Sequence, residues 1–157
     1  MPSLEEHEAR SQRLEDVEEI RRLKHMYSRL VDDNFRHKEL GQLFTEDWIM
    51  DGGMFGRNEE RPAIEAFFDG MRSQLTFAMH FMTGETIDVD PSGTSAKGHW
   101  YLWELGTLEG KAMWIAMTYD DTYVKQHGKW LFKETNLLIN FVTPYEDGWV
   151  KTPFVES

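Results

Sequence analysis

The 157-residue sequence carries 17 lysines and arginines against 28 aspartates and glutamates, a formal charge of −11, with 40% hydrophobic and 29% charged residues and no cysteine. A chain of this length buries roughly 68–70% of its unfolded surface, so one core is expected without disulfide or metal staples. The missing thiols exclude disulfide frameworks and cysteine nucleophiles, and the acidic balance argues against a phosphate-backbone grip, which needs clustered basic side chains.

No apolar run approaches the ~20 residues that cross a bilayer, and the opening MPSLEEHEAR is polar rather than leader-like. The expectation is a cytoplasmic protein with neither membrane nor nucleic-acid partners. Residues 1–13 lack periodicity and read as a flexible lead-in to a single domain over residues 14–157. From Leu14 the apolar positions run Leu14, Val17, Ile20, Leu23, Tyr27, Leu30 and Val31, which predicts a helix of about five turns. Asp32, Asp33 and Asn34 should close it, because these residues tolerate the left-handed backbone that ends helices. A short second helix is expected over His37 to Phe44, then a strand over Trp48 to Met54 ended by glycines.

Arg61-Pro62 opens a third helix, since proline at the first helical position loses no needed N–H, and Ile64, Phe67, Phe68 and Met71 lie along it. The period then changes to two. Strands are predicted over Phe77 to Met82, Thr86 to Val89, Thr94 to Leu105, Ala112 to Val124 and Trp130 to Val142. Turn signals at Pro91-Ser92-Gly93, Glu109-Gly110 and His127-Gly128 separate the later ones. Helices followed by a meander of long strands indicate an α+β fold in which a curved antiparallel or mixed sheet wraps the helices.

The six histidines (His7, His25, His37, His80, His99 and His127) are scattered, with none of the pair spacings of a zinc site, so no metal is expected. Gly52, Gly53 and Gly56 lack the strand-then-helix setting of a phosphate loop, so no cofactor is expected either. Ser28 lies inside a helix, away from any nucleophile elbow.

A set of histidine and carboxylates remains. His80 sits in the apolar run FAMHFM, where burial lowers its pKa unless a carboxylate compensates. It is either a core histidine bonded to a carbonyl or a general base, and Asp32 or Asp33 is placed to orient it. Tyr27 on the helix stripe either packs its ring or points its phenol into a cavity. In TSAKGHWYLWEL, alternation puts Trp100, Leu102 and Glu104 on one face and His99, Tyr101 and Trp103 on the other. Trp100 and Leu102 then line a core or pocket, and Glu104 is either a carboxylate on that apolar face or an exposed strand end beside Gly106. Trp114, Phe132, Phe141 and Trp149 are cavity or core residues. An outer stripe of His99, Tyr101 and Trp103 favours an oligomer.

The segments VEEIRRLKHMYSRLVDD, AMHFMTGETIDVD, GHWYLWE and GKWLFKETNLLINFVTP resemble the SnoaL-like branch of the nuclear transport factor 2-like (NTF2-like) superfamily. They are similar to bile acid 7α-dehydratase, scytalone dehydratase and lindane dehydrochlorinase. The resemblance implies a cone-shaped barrel of cystatin-like type, three helices against a strongly curved sheet, a deep apolar pocket and a homodimer or homotrimer. It also implies that His80 moves a proton while Asp32 holds its other ring nitrogen, that Tyr27 assists, and that Glu104 matches a strand carboxylate. Leu138, Ile139 and Asn140 stand where relatives place an arginine, and Gly52 where a second tyrosine is expected; Asn140 offers a neutral hydrogen bond instead. The tail FVTPYEDGWVKTPF resembles a C-terminus that folds over the pocket.

The function so implied is a cofactor-independent lyase of dehydratase type acting on a hydrophobic polycyclic, steroid-like or polyketide-like small molecule. His80, Asp32 and Tyr27 would be catalytic, with Glu104, Trp100, Leu102, Trp114, Asn140 and Phe141 contacting substrate. The same dyad would serve an isomerase or an aldol-type cyclase, and a non-catalytic binder of hydrophobic ligands or a structural dimer module is the remaining alternative.

Overall fold

Helix α1 (Leu4–Asp32) opens the chain in the computed structural model, which describes residues 1 and 3–155. Ser3 accepts a hydrogen bond from the Glu6 amide and Glu6 accepts one from the Ser3 amide, a capping box that starts the helix well before its apolar stripe. Residues 4–13 are exposed yet helical, which corrects the flexible lead-in: capping and strong helix formers act without any buried face. Pro2, Glu156 and Ser157 lie outside the described residues. At the far end Asn34 and Phe35 adopt left-handed backbone (φ 57° and 48°), and the Phe35 and Arg36 amides donate to the Val31 and Leu30 carbonyls.

Then come α2 (His37–Gly41), β1 (Phe44–Asp51), a 3₁₀ turn (Gly53–Phe55), β2 (Arg57–Glu59) and α3 (Arg61–Gln74). Four long strands follow, β3 (Leu75–Val89), β4 (Ser95–Leu108), β5 (Lys111–Gln126) and β6 (Lys129–Pro144), with a short α4 (Gly148–Lys151) at the end. One six-stranded sheet has the order β2-β1-β6-β5-β4-β3; β1 runs parallel to β6 and the other pairs are antiparallel. The expected α+β architecture, a curved mixed sheet against helices of the N-terminal half, is what the chain forms.

Bulges decide which side chains face inward, because side chains alternate and one extra residue reverses the pattern beyond it. The two strands predicted over 77–82 and 86–89 are a single β3, interrupted between Thr83 and Thr86, where Gly84 takes φ 61°. On β6 the register shifts twice, leaving Lys133 and Asn140 without partners on β5. Leu137 and Val142 therefore face the interior, whereas Phe141 faces out.

Two polar clusters bind α1 to the sheet. Asp16 accepts from the Lys125 ammonium at 2.6 Å and the Trp130 indole at 3.0 Å. Lys24, 1% exposed, pairs with Asp121 at 2.7 Å, and Asp121 also accepts from Tyr123 and Thr135, each at 2.8 Å. The Lys24 ammonium lies 3.7 Å from the centre of the Tyr119 ring. Trp100 completes this cluster by donating to the Tyr123 hydroxyl at 3.0 Å.

Candidate active site

Asp32 is the last residue of α1, and its carboxylate grips His80 of β3 at two places. The His80 amide donates to both carboxylate oxygens at 3.1 and 3.2 Å, and ring Nδ1 lies 2.6 Å from Oδ1. A carboxylate at Nδ1 fixes the proton there and leaves Nε2 with its lone pair free, the tautomer a general base requires. Asp33 points away, its side chain two-thirds exposed and bonded to Arg36 at 3.2 Å, so Asp32 is the partner.

His80 and Glu104 are direct cross-strand partners on β3 and β4, and Nε2 lies 3.5 Å from Glu104 Oε2. Both side chains are buried, 5% and 2% exposed, and β4 continues past Gly106 to Leu108, so Glu104 is no frayed strand end. Glu104 Oε1 has no hydrogen-bond partner among the described residues. Gly106 lets Leu75 and Ile115 close in beside it: a methyl group there would stand 3.0 Å from Leu75 and 3.2 Å from Ile115, and in ordinary contact, 3.5 Å, with Glu104 Oε1.

Burial raises the Glu104 carboxyl above the ordinary glutamate range, the His80 charge pulls it down, and Asp32 adds to the rise. For His80, burial acts to lower the pKa, but the Glu104 charge and the Asp32 hydrogen bond outweigh it, so the imidazole titrates above its usual 6.5. Tyr27 is buried with its ring edge-on to Phe44, Phe68 and Tyr119. Burial lifts its phenol well above 10, the facing Tyr119 hydroxyl opposing the rise, which makes Tyr27 a hydrogen-bond donor rather than a source of protons.

These groups open onto one cavity of about 290 Å³. Phe35, Phe55, Phe67, Phe68 and several methionines form its apolar wall, Tyr27, Tyr119, His80 and Glu104 its buried polar groups, and Gln74 and Glu109 its exposed polar groups. No lysine or arginine lines it among the described residues. Val155 reaches it from the tail, which pairs with β6 through the Val142 amide and carbonyl.

The substrate-contact set read from sequence needs correction. Trp100 and Leu102 are buried in the core away from the cavity, because the Lys24–Asp121 cluster fills that end of the cone. Trp114, Asn140 and Phe141 lie on the opposite face of the sheet. There Phe141 stacks on Trp149 (5.2 Å between ring centres), Trp103 packs on Trp114 (5.2 Å), and Asn140 accepts from Thr118. Tyr119 and Phe35 are wall residues that the sequence reading missed. Alternation along β5 with Ile115 and Met117 would have placed Tyr119, whereas Phe35 is aimed inward by its left-handed backbone, which leaves no apolar pattern.

The sequence matches the SnoaL-like domain family over residues 12–136. The chain belongs to that family. Among solved structures, this SnoaL-like protein is similar to a candidate scytalone dehydratase from Novosphingobium aromaticivorans, at 26% identity and a TM-score of 0.77, covering 86% of this chain and 91% of that one. It is also similar to the dehydrochlorinase LinA, at 19% identity and a TM-score of 0.80 (87% and 93% covered). An NTF2-like protein of cystatin-like fold from Novosphingobium aromaticivorans gives 23% identity and a TM-score of 0.75 (88% and 91% covered). A search of curated protein sequences gave no match. The NTF2-like architecture expected from the sequence is thereby established.

Proposed function

We propose that this SnoaL-like protein is a cofactor-independent lyase that removes water from a hydrophobic small molecule of about two fused rings. The observation that carries the reading is the line Asp32–His80–Glu104, in which His80 and Glu104 face an apolar cavity and Asp32 holds His80 from behind. The size follows from volume: a ~150 Å³ apolar cavity admits one benzene ring, and this one, at about 290 Å³, is nearly twice that. Two rings fit this space better than a four-ring steroid.

In this reading His80 Nε2 takes a proton from carbon beside a carbonyl, and the C–H electron pair becomes the new double bond. The bond to the leaving oxygen breaks, that oxygen takes the proton of Glu104, and water departs. His80 then returns its proton to Glu104 across the 3.5 Å gap, which restores both groups. Asp32 stabilises the imidazolium, and Tyr27 donates to the developing enolate oxygen. Because acceptor and donor are adjacent, the pair would also serve a proton shift between carbons, so the product distinguishes lyase from isomerase. The sequence similarity to a candidate dehydratase supports the first.

The test uses 3-hydroxy-1-tetralone, which yields 1-naphthol on losing water. Enzyme-dependent naphthol formation that disappears in His80→Ala supports the assignment, and rates no faster than buffer across hydroxytetralones reject it. Turnover needs His80 neutral and Glu104 protonated, one proton on the pair, so kcat/KM should be bell-shaped in pH: it falls at low pH as His80 is protonated beside a protonated Glu104, and at high pH as the shared proton leaves.

The outer sheet face supports assembly as a homodimer or homotrimer. Phe77, Met79, Phe81, Tyr101 and Leu138 are 43–65% exposed there, beside the Trp103–Phe141–Trp149 cluster. In a chain of charge −11, this patch of uncharged side chains is where two copies can approach with least repulsion. Phe81→Glu with Trp103→Glu should reduce the solution mass, read by light scattering, to that of one chain; a wild-type monomer would reject the assembly.

A further inference from the structure

We propose that the cavity selects uncharged or cationic ligands and rejects anionic ones, and that Glu104 sets this selectivity. The inference rests on the cavity assigned above as the substrate site and adds the charge class of what it takes.

The argument starts from proton bookkeeping. With Asp32 ionised, moving one proton between His80 and Glu104 leaves the three groups at one net negative charge, wherever the proton sits. The groups facing them do not alter this. From α1, Lys24 is nearest, but its ammonium is committed to Asp121 at 2.7 Å. Tyr27 from the same helix and Tyr119 from β5 are held neutral by burial. Helix α3 and β1 contribute Phe67, Phe68, Met71, Gln74 and Met50, none of them charged, and the turn after β4 adds Glu109, a second negative group.

An anion entering this space would lose its hydration, meet no lysine or arginine, and face like charge. It could enter only with uptake of a proton by the trio, so its affinity must rise as pH falls. A neutral hydroxyl or carbonyl compound has no such penalty. It finds an acceptor or donor at Glu104, whose Oε1 lacks any hydrogen-bond partner among the described residues.

Three probes of equal ring size test this by calorimetry: 2-naphthol, 2-naphthylmethylammonium and 2-naphthalenesulfonate, whose charge is fixed above pH 2. At pH 7.5 the sulfonate should bind at least about 30-fold more weakly than the other two. Lowering the pH to 5.5 should strengthen the sulfonate alone, with one proton taken up per ligand. Glu104→Gln should raise the affinity for the sulfonate relative to that for 2-naphthol about tenfold. Equal affinity of sulfonate and naphthol in wild type, or an unchanged ratio in a folded Glu104→Gln, overturns the proposal; the wild-type pH series decides it if that variant does not fold. Binding as stated without elimination on any hydroxytetralone would reject the lyase and leave the selectivity standing. Failure of all three probes to bind would reject both.

Discussion

His80→Ala should lower kcat/KM on any substrate the enzyme turns over by about 10²- to 10⁴-fold, the range that a positioned acid–base group supplies. The fold should survive it, for a structural reason. Asp32 is bonded to the His80 backbone amide as well as to the ring, so alanine keeps the link between α1 and β3 and removes only the imidazole. Asp32→Asn isolates a different contribution. The amide can still accept from the His80 amide, but it no longer stabilises an imidazolium or enforces the Nδ1–H tautomer. Its loss in kcat/KM should approach that of His80→Ala, and the double variant should lose little more than either alone, because the two residues act as one unit. Additive losses would show that they act separately, and normal turnover in His80→Ala would remove the histidine from the chemistry.

What the sequence made legible follows a simple physical division. Period and punctuation placed the long elements: the apolar stripe from Leu14, the proline at the start of α3, and the turns at Gly110 and Gly128 that join β4 to β5 and β5 to β6. Inward alternation on β4 correctly put Glu104 on the apolar face. On β6 the bulges at Lys133 and Asn140 reverse alternation between them, turning Leu137 inward, and restore it beyond, so that counting from Phe132 places Phe141 outward, where it lies. Nothing in residue type announces such a bulge. Trp100 shows a second limit: an inward aromatic was legible, but not that a buried lysine–aspartate pair would occupy its end of the cone. The start of α1 was missed because its first turns bury nothing, leaving only the Ser3 and Glu6 spacing as a signal.

That buried pair makes the largest prediction for stability. Asp121 takes three donors, from Lys24, Tyr123 and Thr135, within 2.8 Å, in a site where both charged side chains are at most 1% exposed. Removing the negative charge leaves an ammonium in an apolar surrounding, so Asp121→Asn should cost about 3–5 kcal/mol in urea denaturation at pH 7. That is a large part of the 5–15 kcal/mol that ordinarily holds a domain together. Burial already pulls the Lys24 pKa below its normal value, and Asp121→Asn removes the charge that opposes that pull. At pH 7 to 9 the unfolded variant then binds more protons than the folded one, so its stability should rise with pH across that window. Adding Lys24→Met to Asp121→Asn removes the stranded charge and should recover most of the loss. If the double variant is no more stable than Asp121→Asn alone, then the hydrogen bonds from Tyr123 and Thr135, rather than the ion pair, are what anchor α1. In either case the consequence reaches the cavity, since α1 carries Tyr27 and Asp32 on the helix that this cluster fixes against the sheet.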